Sequence, residues 1–361
     1  MSGLRFLFFF VTSSAVLYGM HLFVYLRVAQ GLALGPREAT LLKWLLVIGG
    51  VSFYAGMFYR KWPELYQVLY VGRVWMGFIS IAFAFLVVKL GFDTALPAHA
   101  RTITLVTLLL IVLATCYSLW NAHGQPRVKE VRVDGVKGAP PGFTIVQISD
   151  LHLWRLGSVE WLEGVAASAN ALAPDIIVIT GDVMDDTAEG LNEYLPPLQK
   201  LKAKYGVYAV AGNHDHYAGL ENFYSMMAAA GINVLRNQKT GIGGVIELLG
   251  VDDEDPRVMA GFDAFLKGQI KPGGKPVIVL KHRPTEYEHV ARAGAALMLA
   301  GHSHAGQIPP LDLIVALYYK HPYGLYKENG TWFYTTCGTG TWGPPMRLFS
   351  RSEVVKLTLY P

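Results

Sequence analysis

Apolar residues follow two different patterns along the chain. Up to about residue 122 they form four long, nearly unbroken stretches, about 4–28, 41–58, 74–90 and 103–120. Each approaches or exceeds the roughly 18–20 apolar residues a helix needs to cross a bilayer core. The first could be a signal peptide, but three more follow and no small-residue cleavage site stands out. The pattern therefore predicts a four-span membrane domain over residues 1–122. Trp62, Tyr66, Tyr70 and Trp120 lie near the ends of the stretches, where amphipathic rings suit the membrane–water interface.

Beyond this the pattern changes. Residues 123–141, with Gly-Gln-Pro and Gly-Ala-Pro-Pro-Gly at either end, read as a linker and first turn, and residues 142–361 as a second domain. Here short apolar runs alternate with amphipathic ones. Strands are predicted at Thr144–Ser149, Ile176–Thr180, Val207–Ala211, Val277–Leu280 and Leu297–Ala300, and helices at Val159–Ala171, Leu191–Lys202 (interrupted by Pro196-Pro197), Leu220–Ala230 and Thr285–Ala293. Val245–Gly250, Trp332–Thr336 and Val354–Leu359 add strands toward the end. Alternating strands and helices followed by a strand-rich tail predict layered α/β architecture with two packed sheets.

Composition changes this picture little. Hydrophobic residues make up 52% and charged residues 16%, in keeping with a membrane domain. The net charge of +4 comes without any Lys/Arg run of the kind that forms a nucleic-acid arm, so no nucleic-acid partner is expected. Two cysteines, Cys116 and Cys337, exclude a disulfide framework and a cysteine-rich zinc site. Four spans put both termini on one side. Arg5, Arg60, Lys61, Arg73, Arg127, Lys129, Arg132 and Lys137 flank that side and outnumber Arg27, Arg37, Lys43, Lys89 and Arg101 on the other. The positive-inside bias thus places the second domain in the cytoplasm.

Candidate chemistry collects at the strand ends. Asp150 and His152 follow the first, Asp182 with Asp185 and Asp186 the second, and Asn213, His214, Asp215 and His216 the third. His282 follows the fourth and His302 and His304 the fifth. The crevice at the carboxyl ends of strands is where open α/β sheets build sites. Carboxylates, imidazoles and one amide oxygen without thiolate suit Mn, Fe or Zn, with Mn favoured. Asp150, His152, Asp182, Asn213, His282, His302 and His304 are too many for one tetrahedral ion and suit two divalent ions sharing a carboxylate. Glycines precede Asp182, Asn213 and His302, where a sharp turn would bring the next side chain inward.

The ordered set Asp150-Leu-His152, Gly181-Asp182-Val-Met-Asp185, Gly212-Asn213-His214-Asp215, His282 and Gly301-His302-Ser-His304 resembles the calcineurin-like metallophosphoesterase superfamily. The ending GTGTWGPPMRLFSRSEVVKLTL is similar to its bacterial membrane-associated branch, although Thr336 and Cys337 stand where that branch often has a serine-arginine pair. The resemblance covers about residues 142–361 and implies a four-layer α/β/β/α sandwich. It implies that Asp150, His152, Asp182 and His304 bind one metal and that Asp182, Asn213, His282 and His302 bind the other.

The chemistry then expected is hydrolysis of a phosphodiester or pyrophosphate by a hydroxide bridging the metals, since paired cations neutralise phosphoryl oxygens and acidify water. His214, with no ligand duty, is expected to contact the phosphate and assist the leaving oxygen, oriented by its neighbour Asp215. Arg283, beside a ligand, is a candidate substrate contact, and one of Asp185 and Asp186 a partner behind the ligands. Residues 307–326, QIPPLDLIVALYYKHPYGLY, read either as a buried strand and turn or as an apolar lip facing the bilayer. With the four spans, the lip favours a lipid-linked substrate and a multi-pass protein of a bacterial inner membrane. Two alternatives differ in class: a phosphodiesterase or phosphatase for soluble substrates tethered to the membrane, and a metal-dependent membrane sensor without catalysis.

Overall fold

The structure is a computed structural model. It describes residues 3–60, 62–186, 190–252 and 254–361, so Lys61 lies outside the described residues, as do the side chains of Arg5 and Arg60. The chain divides into two compact units.

The helical unit holds α1 (Gly3–Leu32), α2 (Pro36–Gly56), α3 (Tyr66–Ala95) and α4 (Ala100–His123). All four are long and apolar enough to cross a membrane. Val24, Val28, Leu46, Ile79, Leu86 and Ile111 form its interior, while most other large apolar side chains face outward, as lipid-facing residues do. Glycines let helices approach closely: a Cβ on Gly72 would sit 2.5 Å from the Phe53 Cα. His21 is buried among these helices, accepting from Trp75 Nε1 at 2.9 Å while its Nδ1 faces the Leu17 carbonyl at 2.7 Å.

Two short segments from far along the chain, Ile308–Leu311 and Gly343–Phe349, also belong to this unit. Ile308 and Met346 pack against Ile81. Irregular backbone beside apolar helices needs protein partners for its polar groups. Ser80 Oγ donates to the Pro309 carbonyl at 2.7 Å, Asn121 Nδ2 to the Arg347 carbonyl at 2.9 Å, and Arg347 N to the Ser118 carbonyl at 3.0 Å.

The second unit is a four-layer sandwich. One sheet runs β1 (Arg127–Val133), β12 (Glu353–Leu359), β2 (Phe143–Ile148), β3 (Ile176–Thr180), β4 (Val207–Val210) and β5 (Asn233–Val234). The other runs β10 (Gly324–Glu328), β11 (Thr331–Thr335), β9 (Leu297–Ala300), β8 (Val277–Lys281), β7 (Ile246–Val251) and β6 (Gln238–Ile242). The stretch read as a linker thus contributes β1, whose alternation Val-Lys-Glu-Val-Arg-Val was too polar to register as a buried strand.

Period-2 alternation sorts each strand between layers. Ile145, Val178, Val210, Ile278, Leu280 and Leu299 meet between the sheets. Val146, Ile148, Ile177 and Ile179 point the other way, onto α5 (Val159–Ala171) and α8 (Leu220–Ala229). Val277, Val279 and Met298 point onto α10 (Phe262–Gln269) and α11 (Tyr287–Ala293). The interruption predicted at Pro196-Pro197 within Leu191–Lys202 is present: the segment forms a 3₁₀ turn and a five-residue helix, Leu195–Gln199, because proline cannot continue the backbone ladder.

Glu353 on β12 ties the sheets together from a fully buried position. Its carboxylate accepts from Tyr334 on β11 at 3.0 Å, from Thr336 Oγ1 at 2.9 Å and from Tyr323 at 3.0 Å. Removing one acceptor leaves several buried hydroxyls unsatisfied. Glu353→Ala should therefore destabilise this unit by about 3 kcal/mol; a thermal unfolding midpoint equal to that of the parent chain would contradict this role.

Candidate metal centre

The seven candidate ligands converge where the two sheets present the carboxyl ends of their parallel strands. Asp150 and His152 leave β2, Asp182 leaves β3, and Asn213 opens the short helix α7 (Asn213–Ala218) after β4. His282 leaves β8, while His302 and His304 leave β9. Three adjacent strands of one sheet and two of the other therefore supply one cluster.

The backbone is bent hard to achieve this. Asp150, His152, Asp182, His302 and His304 all adopt the left-handed conformation, with φ of 54, 47, 52, 68 and 49°. Such positions cost on the order of 1–3 kcal/mol each and persist only when their surroundings hold them. Here the β2 and β3 loops are laced side by side: Asp150 N donates to the Gly181 carbonyl at 2.9 Å, His152 N to that of Asp182 at 3.0 Å and Leu153 N to that of Val183 at 2.8 Å. The glycines before the ligands serve space more than turning. Only Gly181 has a positive φ, 90°, whereas a Cβ on Gly212 or Gly301 would overlap the carboxylate of Asp182 or Asp150.

Donor atoms of the candidate ligands form two groups, Asp150–His152–His304 and Asp182–His282–His302, each with its atoms within 4.8 Å of one another, and a further group of the same tightness, His152–Asp185–His214, shares His152 with the first. His152 Nε2 lies 3.1 Å from His304 Nε2, and His282 Nε2 lies 3.1 Å from His302 Nδ1. Asp182 Oδ2 sits between the groups, 3.1 Å from His282 Nε2 and 3.7 Å from His152 Nε2. Ligand atoms about 2.1 Å from one ion lie roughly 3 Å apart at right angles, so these spacings fit shared cations. Two further features support the fit. His152 Nδ1 faces Asp185 at 2.7 Å and His282 Nδ1 faces the Thr180 carbonyl at 2.8 Å, which orients both Nε2 atoms inward. Asn213 Oδ1 is buried without a hydrogen-bond partner, as an amide oxygen reserved for a cation would be.

The electrostatics agree. Burial would lower the His152 pKa, but Asp185, Asp182 and Asp150 outweigh it and raise it to about 9. Burial likewise works against an ionised Asp185, yet the charges and hydrogen bonds of His152 and His214 hold it well below the carboxylate range. Desolvation raises Asp150, with His282 and His152 only partly offsetting it.

The structure corrects one expected pairing. His214 Nδ1 meets Asp185 Oδ1 at 2.8 Å, not Asp215. Asp215 is fully buried in the first turn of α7 and bends back to accept from Gly212 N at 2.8 Å, while its other oxygen accepts from Val183 N and Met184 N at 3.0 and 2.9 Å. The helix start thus takes one oxygen of the sequence neighbour and the loop after β3 the other, and burial with the nearby Asp182 pushes its pKa up to about 7. Asp185 instead bridges His152 and His214 through one oxygen. Arg283 is paired with Glu254, and His216 with Asp252 at 3.0 Å.

Aromatic rings around the centre gave no signal in the sequence. Tyr217 and Trp342 lie edge-on to His214, with ring centroids 5.5 and 6.2 Å away, and Tyr319 lies edge-on to His302 at 6.2 Å. Trp342 is fixed by a reciprocal clasp: Gln307 Nε2 donates to its carbonyl at 2.9 Å and its N–H donates to Gln307 Oε1 at 3.0 Å. The 307–326 segment is neither buried strand nor turn at its centre but a helix, α12 (Leu311–Tyr318).

The chain is similar in sequence to known metallophosphoesterases. A family model described as calcineurin-like phosphoesterase matches residues 143–306. A metallophosphoesterase of Helicobacter pylori (strain J99) is 30% identical over 332 residues, covering 88% of each chain. A Bos taurus transmembrane protein with metallophosphoesterase domain is 31% identical over 352 residues, covering 87% of this chain and 78% of its own. Among solved structures, a dimetal phosphatase from Danio rerio is 13% identical with a TM-score of 0.36, over 54% of this chain and 87% of its own.

Two outcomes follow. Asp185→Asn, which removes the charge shared by two imidazoles, should weaken Mn²⁺ binding about 10–100-fold, a loss typical of outer-shell partners; unchanged affinity in a metal titration would refute the bridging role. Because His152 is protonated below about 9, a cation binding at pH 7 must displace that proton. Mn²⁺ affinity should therefore rise as pH increases toward 9 and fall on acidification. Calorimetry in buffers of different ionisation enthalpy should register the released proton, and a buffer-independent heat would count against it.

Proposed function

The chain belongs to the calcineurin-like metallophosphoesterase family, and on that premise we propose that it is a membrane-embedded phosphohydrolase with two divalent cations, cleaving a phosphodiester or pyrophosphate of a lipid-linked substrate. The observation that carries the reading is the pairing, in one chain, of four membrane-length helices with two clusters of metal donors at the ends of the sheets.

In this reading Asp150, His152, Asp182 and His304 hold one ion and Asp182, Asn213, His282 and His302 the other. A donor set of carboxylate, imidazole and amide oxygen favours Mn²⁺. When bound, the cations neutralise phosphoryl oxygens and acidify water. The chain's own residues do the rest. Asp185 fixes the His214 ring through Nδ1, leaving Nε2 to bind a phosphoryl oxygen and deliver a proton to the leaving oxygen. Asp215 holds the turn that carries His214 and takes no part in proton transfer. Arg283, already neutralised by Glu254, becomes a substrate contact only if that pair opens.

The lipid linkage rests on the four spans and on the apolar α12 that follows the last ligands. The basic residues flanking the termini favour a cytoplasmic catalytic domain on the inner membrane of a bacterium.

Purified full-length protein with Mn²⁺ should hydrolyse a chromogenic phosphodiester, and His214→Ala should lower kcat about 10²–10⁴-fold, the usual share of a general acid. Asp182→Asn should abolish turnover together with metal retention. Unaltered rates in both variants would sink the mechanism. Detergent-solubilised lipid diesters and pyrophosphates should be cleaved with higher kcat/KM than short soluble ones; equal values would remove the lipid linkage and leave a tethered phosphoesterase for soluble substrates.

A further inference from the structure

Helix α12 is unusual for a helix of a folded domain, because none of its residues is buried. Leu313, Ile314, Leu317 and Tyr318 are 61, 53, 80 and 77% exposed. At about 100° per residue these four side chains fall within one arc of roughly 140°, so they form a single apolar face. A continuous exposed face of this kind marks a surface that something apolar covers.

We propose that α12 lies in the membrane–water interface with this face toward the acyl chains, so that the metal centre works at the level of the lipid headgroups. This deepens the reading above, on which it rests. Three observations select the bilayer over other occupants. The same chain carries four membrane-length helices, so a bilayer is always at hand. Leu311, where α12 begins, belongs to the helical unit, packed in a cluster with Ile81, Ile308 and Met346. Eight residues of helix reach only about 12 Å, so the exposed face cannot travel far from that anchor. The composition also suits an interface, with Leu and Ile along the face and tyrosines at its end, where amphipathic rings settle at headgroup depth.

The link to the chemistry is direct. Tyr319, the residue after α12, lies with its ring edge-on to the candidate ligand His302 at a centroid distance of 6.2 Å. A helix seated in the interface would therefore fix the depth of the metal centre, and phosphates at the membrane surface would reach it without their apolar chains leaving the bilayer.

The test reads depth and needs no substrate. Leu313→Cys and Leu317→Cys, each in a Cys116→Ser background, are spin-labelled in the full-length protein in phospholipid nanodiscs loaded with Zn²⁺, with Lys202→Cys as an exposed reference site. Retention of Zn²⁺ checks that each labelled protein is folded. The ratio of oxygen to water-soluble nickel-chelate accessibility should be several-fold higher at 313 and 317 than at 202. Nickel access at 317 equal to that at 202 would place the helix in water and overturn the proposal. Shielding from both reagents with dipolar broadening between labels would show a second copy covering the face, and would overturn it equally. Membrane depth at 317 with no preference for lipid substrates would refute only the substrate reading.

Discussion

The catalytic unit is organised around a single electrostatic constraint: imidazole lone pairs and carboxylates lie about 3 Å apart in a buried crevice and require positive charge between them. His152 and His304 present nitrogens to each other at 3.1 Å, as do His282 and His302, with Asp150 and Asp182 alongside. Such a set is unfavourable unless cations or protons occupy it, because buried like charges and lone pairs cannot be screened by water. The elevated pKa of His152 expresses the same demand: the surrounding carboxylates favour a proton on the imidazole. A charge that attracts cations this strongly is also what a phosphoesterase needs, since the cations it holds then face the anionic oxygens of the substrate.

Meeting that demand distorts the backbone, and the remaining hydrogen bonds hold the distortion in place. Five candidate ligands sit in the left-handed region. The loops after β2 and β3 brace each other, Gly340 N donates to the Asp150 carbonyl at 2.9 Å, and Asp215 gathers three backbone amides from two loops. Asp215 and Asp185 thus divide the work of two buried carboxylates. One builds the loops, and the other orients the imidazoles.

The helical unit is more than a tether in its construction. It takes in Ile308–Leu311 and Gly343–Phe349, satisfying their backbone with Ser80, Asn121 and the Ser118 carbonyl. These two segments adjoin in sequence Gln307 and Trp342, whose reciprocal clasp sets an aromatic ring beside His214. Thr336 and Cys337, which depart from the serine-arginine pattern of the related branch, are both buried. Thr336 donates to Glu353, and the Cys337 thiol faces the Arg351 carbonyl at 3.1 Å.

Much of this was legible in the order of residues. Four long apolar stretches and five short apolar runs ending in Asp, Asn or His, the first four runs rich in Val and Ile, are local signals, and they predicted the membrane-length helices, the strands and the residues that cluster. The polar strand β1 escaped because its edge position leaves its outward side chains in solvent. What the sequence could not decide was which groups would meet across loops. Asp215 adjoins His214 in the chain, yet its oxygens are taken by the helix start and by the loop after β3, and the imidazole finds Asp185, reached from that same loop. Trp342, bonded to Gln307 from another loop, likewise lies beside His214, and the Glu353 junction joins residues of two stacked sheets. Periodicity records how each segment faces its own surroundings, whereas these contacts depend on how strands neighbour one another, which no local pattern encodes. The sequence alone determined the candidate donor residues and the four helices long and apolar enough to cross a membrane, while the tertiary structure decided which carboxylate orients which histidine, because that choice is made by backbone hydrogen bonds between loops distant in the chain.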